Sequence, residues 1–137
     1  MAQSEMNTPN LPQPGAVLFA KDLPRVARFY EGVVGLVVVA TESDHIVLER
    51  PHFQLVLHGI PQKIAASISI TSPPQLREAV PVKLVFPVAS LAAARAMAPA
   101  LGGGLSPTSK EWEARGFRAC DGYDPEGNVV QFREAVA

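Results

Sequence analysis

Cysteine is nearly absent from this chain, and several other signatures are missing with it. Cys120 is the only cysteine in 137 residues, so no intramolecular disulfide can form, and a thiolate metal site would need other ligand types. Its apolar neighbours read as the setting of a buried, inert thiol rather than a nucleophile. No Lys/Arg cluster and no interleaving of aromatic with basic residues occurs, and the net charge is −1 with a pI near 6.3. That balance excludes a nucleic-acid footprint and suits a small neutral or amphipathic ligand. No run of about 18 apolar residues is present, so no membrane partner is expected. The first 13 residues lack the basic start and apolar stretch of a signal peptide, and the expectation is a soluble, cytoplasmic protein. No GxSxG elbow, HExxH or Cys-His pair is found, and Gly102-Gly103-Gly104 lacks the Lys-Ser/Thr of a phosphate loop.

What is there is the composition of one globular domain, 47% hydrophobic and 18% charged. Residues 1–12 read as a flexible tail and 13–137 as a single domain. Gly15 to Ala20 is an apolar strand. Asp22 is a helix N-cap with Pro24 in the first turn, and Leu23, Val26, Ala27, Tyr30, Val33 and Val34 form one apolar stripe that Gly35 closes. Three strands follow: Leu36 to Thr41, His45 to Arg50 and His52 to His58. Residues 61–80 read as a linker, in which Ile64 to Ile70 is either an apolar strand or packed loop. The plan then restarts. Val82 to Val88 is a strand, and Ser90 caps a helix carrying Leu91, Ala94, Met97, Ala98 and Leu101. Strands follow at Leu105 to Ser106, Gly116 to Gly122 and Val129 to Glu134. A strand-helix-strands order repeated over about 15–60 and 81–135 describes two βαβββ modules, each too thin to cover its own apolar face.

Asp124-Pro125-Glu126-Gly127-Asn128 is the most distinctive stretch. On physics alone it is a tight hairpin turn between two strands. Taken with Gly116-Phe117-Arg118 before it, with Leu18-Phe19-Ala20-Lys21-Asp22-Leu23 leading to Phe29-Tyr30 and Gly35-Leu36, and with Val85-Phe86-Pro87-Val88-Ala89-Ser90-Leu91, it resembles the vicinal oxygen chelate superfamily. That superfamily groups glyoxalase I, bleomycin-resistance proteins, extradiol dioxygenases and fosfomycin-resistance enzymes. The resemblance implies an α+β fold of two βαβββ modules forming a cupped, mostly antiparallel sheet, and a homodimer.

The resemblance also implies where a divalent metal would be held, at four inward-facing strand positions. Here they fall on Gly15, Val56, Lys83 and Gln131, the second with latitude to slip to Gln54 or His58. Glycine donates nothing, an ammonium has no lone pair, and a catalytic site needs about three protein ligands. No metal and no other cofactor is therefore expected. The leading reading is a small-molecule binder with a degenerate metal site, its cleft lined by Val17, Gln54, Val56, His58, Lys83, Val85 and Gln131, with Trp112 and Arg118 at the rim. The alternative is a metal-dependent lyase or extradiol-type dioxygenase, which requires the divalent ion. A third reading makes Lys83 a base in a cofactor-free enzyme. For Lys83 the plain alternative is an ion pair with Glu134 or Asp121, for Arg118 a salt bridge, and for Trp112 core packing. His52 and His58 lie about 20 Å apart along one straight strand, too far to share an ion.

Overall fold

The computed structural model describes residues 11–136; the first ten residues of the expected tail lie outside them. Nine strands and three α-helices follow in order: β1 (Gly15–Ala20), α1 (Leu23–Phe29), β2 (Val37–Thr41), β3 (His45–Arg50), β4 (Phe53–Gly59), α2 (Gln62–Ala65), β5 (Val85–Pro87), α3 (Leu91–Met97), β6 (Gly104–Leu105), β7 (Trp112–Ala114), β8 (Phe117–Tyr123) and β9 (Val129–Ala135). Among the described residues no helix is long and apolar enough to cross a membrane. Asp22 caps α1 by accepting from the Arg25 amide at 3.2 Å, and Ser90 caps α3 by accepting from Ala93 at 3.0 Å. α1 runs on into a π-turn, Tyr30–Val34, before Gly35 ends it in the left-handed region.

The two halves have one topology. The first sheet runs β1-β4-β3-β2 and the second β5-β9-β8-β6, and in each the first strand lies parallel beside the last. In the second sheet the place of β2 is taken by two short pieces, β6 and β7, which pair with successive stretches of β8. The helices cover one face of each sheet, and a shared core of Phe29, Tyr30, Leu48, Leu55, Phe86 and Phe132 welds the halves together. Each of these is fully buried or nearly so, contributing roughly 2 kcal/mol of hydrophobic stabilisation. Phe86 meets Tyr30 at 5.4 Å and Phe53 at 5.9 Å between ring centroids, so the aromatic contacts cross from one module to the other.

Several expected bounds shift. His52 belongs to the turn and not to β4, because its φ of 70° breaks the extended chain there. β5 is only three residues long, so Lys83 precedes the strand rather than heading it. The apolar stretch 64–70 is not a strand: α2 ends at Ala65 and irregular backbone follows. Trp112–Ala114 is a strand that sequence spacing does not reveal, since all three residues are exposed.

The turn between β8 and β9 ties these parts together. The Asp124 carboxylate is fully buried and accepts from the amides of Glu126 (2.9 Å) and Asn128 (3.1 Å), the Asn128 side-chain amide (2.8 Å) and the Tyr30 hydroxyl (2.8 Å). Glu126, also buried, accepts from the backbone amides of Lys21 and Asp22, pinning the turn from β1 into α1. Gly127, with φ of 87°, leaves room for the Gln75 carbonyl, which a Cβ would strike. The linker is held there by Arg77 N donating to Gly127 O at 2.8 Å and by a parallel bridge between Arg77 and Asn128. One pentapeptide thus fastens both modules and the linker.

Candidate functional site

Strand alternation sends Leu55 and Leu57 of β4 into the core and turns Gln54, Val56 and His58 to the opposite face. Register sets Gly15, Val17 and Phe19 of β1 beside those three in turn. Val17 is 60% exposed, so this face of the first sheet is open. On its far side Glu49, Val47 and His45 of β3 pair with the same three residues, and Gln54 donates to Glu49 at 2.9 Å.

In the second sheet Val85, Gln131 and Asp121 stand side by side across β5, β9 and β8. Lys83 Nζ donates to Asp121 at 2.7 Å. Gln131 is 8% exposed, and its amide nitrogen points at Asp121 from 3.5 Å while its oxygen accepts from Arg133 Nε at 2.7 Å. The Arg133 guanidinium in turn lies over the Phe117 ring, 4.2 Å from its centroid, and Trp112 packs edge-on against Phe117. A continuous polar and aromatic row therefore runs Lys83–Asp121–Gln131–Arg133–Phe117–Trp112. Arg118 is not part of it. It pairs across the sheet with Glu134, which reaches back to cap Leu91 of α3, so both face the helix side. Its guanidinium meets Glu113 and, at 3.9 Å, Glu111.

The four positions that the resemblance assigns to a metal can now be tested as donors. At Gly15 the strands approach so closely that any Cβ would strike the Gln54 carbonyl, which leaves no room for a side chain of any kind. Val56 is aliphatic, Lys83 is a cation already paired, and the one amide oxygen of Gln131 is taken by Arg133. Among the described residues no buried side-chain polar atom lacks a partner, and no three His, Cys, Asp or Glu side chains converge as ligands. This donor set does not fit a divalent cation.

A cluster that sequence spacing overlooks lies at the end of β3 and β4. His45 and His58 are cross-strand partners with rings stacked 6.1 Å apart, and Asp44 bonds His45 at 2.7 Å and approaches His58 at 3.8 Å. The His45 hydrogen bond holds the Asp44 carboxyl below its ordinary range. His58 and Asp44 border a wide cavity of about 860 Å³, whose rim mixes Lys21 and Arg25 with Asp22 and Glu126. Cys120 is buried against Arg95, and burial raises its thiol pKa despite that cation, which keeps it protonated and unreactive.

Two smaller cavities adjoin the site. One, of about 460 Å³, is bordered by Lys83, Asp121, Tyr123 and the linker. The other, of about 340 Å³, lies at the seam where β1 faces the run into β5, and Val17 lines it together with Val82, Leu84 and Arg77. Val17 is thus the residue at which the candidate faces of the two modules meet.

A family model described as a glyoxalase-like domain matches residues 15–132. Among solved structures the chain is similar to a glyoxalase/bleomycin resistance protein/dioxygenase family enzyme from Burkholderia phytofirmans, with 19% identity, a TM-score of 0.63, and 89% of this chain and 97% of that one covered. It is similar to a glyoxalase/bleomycin resistance protein from Albidiferax ferrireducens, with 18% identity, a TM-score of 0.64 and coverage of 90% and 98%. It is also similar to the fosfomycin resistance protein FosX from Mesorhizobium loti, with 14% identity, a TM-score of 0.62 and coverage of 93% of each chain. At these identities the likeness is one of fold. No curated protein matches the chain.

Proposed function

The chain belongs to the glyoxalase-like domain family, and from that premise we propose that it binds a small organic molecule without the family's divalent metal. The observation that carries this reading is Gly15, where the backbone of Gln54 closes over the place a metal-binding side chain would occupy. The Lys83–Asp121 pair supports it, because an ammonium held 2.7 Å from its carboxylate has no lone pair to offer an ion. Exposed apolar side chains at Val17, Val82 and Trp112 offer the walls, and Gln54 and Asp121 the polar anchors, of a binding surface. A protein that only sequesters its ligand needs no machinery for a transition state.

The same proposal takes the chain as a cytoplasmic homodimer; Val37 and Val39, exposed on the edge strand β2, support the second part. The test is thermal melting of chelator-treated protein against a panel of small organic molecules. At least one class should raise the melting temperature without added metal. A response that appears only after a divalent ion is restored would contradict the reading.

A further inference from the structure

Arg77 lies in the linker, outside every motif of the sequence, yet it lines the 340 Å³ cavity at the seam between the modules. There it is the one charged residue. Asn128 is the only other polar side chain, and its amide nitrogen is committed to Asp124 at 2.8 Å. The remaining walls are aliphatic, chiefly Val17, Leu18, Val82 and Leu84. Among the described residues the Arg77 guanidinium has no hydrogen bond and no ion pair, in contrast to Lys83, Arg95, Arg118 and Arg133, each of which has a polar partner. Its backbone is nevertheless fixed, through the bond to Gly127 and the bridge to Asn128. An apolar cavity whose one charged residue is an arginine with a fixed backbone and an unneutralised guanidinium has the make-up of a site for an amphipathic monoanion.

We infer that this cavity takes a small organic carboxylate with an apolar body, its carboxylate on the Arg77 fork and its body against Val17, Val82 and Leu84. The planar guanidinium matches a planar carboxylate through two parallel hydrogen bonds, and one cation balances one negative charge. The volume equals about eleven waters at roughly 30 Å³ each, which suits a ligand of about ten non-hydrogen atoms. This names the ligand class within the small-molecule reading and rests on that reading.

The experiment is calorimetric titration of the chelator-treated full chain with octanoate, and with octanamide as the uncharged control. Octanoate should bind one to one and octanamide about tenfold more weakly or worse. Arg77→Gln should remove most of that difference by weakening octanoate alone, and Arg77→Lys should restore part of it. Val82→Glu, at a site 66% exposed where folding is not at stake, should weaken octanoate by placing a like charge at the cavity. Equal affinity for acid and amide, an unchanged Arg77→Gln variant, or no octanoate binding at all would each overturn the inference. Failure of the underlying reading shows separately, as chelated protein whose melting temperature no small molecule raises.

Discussion

Asp124 accepts four hydrogen bonds, three from its own turn and one from the distant Tyr30, and that makes it the residue on which the turn depends. Asp124→Ala should cost about 3 kcal/mol in urea denaturation, because buried donors on Glu126, Asn128 and Tyr30 lose their acceptor. Asp124→Asn keeps one oxygen and should cost clearly less. Burial raises the Asp124 pKa, its hydrogen bonds opposing, so the native state binds this proton more readily than the unfolded chain. That contribution is complete below the ordinary aspartate value of about 3.9 and is lost as pH rises through the folded value. The stability gap between wild type and Asp124→Asn should therefore widen as pH falls from 7 to about 4. His52, the one non-glycine residue described with positive φ, is a simpler case. His52→Gly should raise stability by roughly 0.5–1 kcal/mol, as relief of the left-handed strain outweighs the added freedom of the unfolded chain. Much at this scale was legible. The caps at Asp22 and Ser90 and the buried thiol of Cys120 follow from local sequence, whereas the partners of Asp124 do not, since Tyr30 is 94 residues away.

At the scale of elements, the Asp124–Asn128 turn and the β3–β4 hairpin are the two devices that place side chains. Gly127→Ala should cost about 3 kcal/mol and loosen the linker, measured as faster hydrogen exchange at the Arg77 amide. A neutral melting temperature in that variant would mean that the Gln75 approach is not held. In the hairpin, a two-residue turn at Pro51-His52 pairs Arg50 with Phe53 and thereby sets His45 opposite His58. That signal was in the sequence: the turn and the flanking strands suffice to count the register, but spacing along one strand compares His52 with His58 instead. Two features were not legible for a physical reason. β7 is three exposed residues, too short for its apolar-polar alternation to count as a signal, so nothing but its pairing with β8 marks it as a strand. The linker has no period of its own, and Arg77 acquires its position only from the distant Gly127 and Asn128.

For the molecule as a whole, the repeated strand order shows why the fold reads more easily than the chemistry. Two copies of one topology leave a repeat in the sequence, with Asp22 and Ser90 opening corresponding helices. A site built across both copies leaves only single residues, and their facing depends on register to within one position. Gly15 and Lys83 could be recognised as non-ligands from their chemistry alone, which left the Gln131 amide as a possible donor. The contact that closes Gly15 and the engagement of Gln131 by Arg133 arise only from the packing of the folded strands. The central claim is that no divalent ion belongs in this cleft. Its most direct test is calorimetry on tag-free, chelator-stripped protein titrated with Ni²⁺, Zn²⁺, Mn²⁺ and anaerobic Fe²⁺. The account predicts no one-to-one binding tighter than about micromolar for any of the four. Stoichiometric binding below that, lost in Gln131→Ala, would contradict it and return the chain to metal-dependent chemistry.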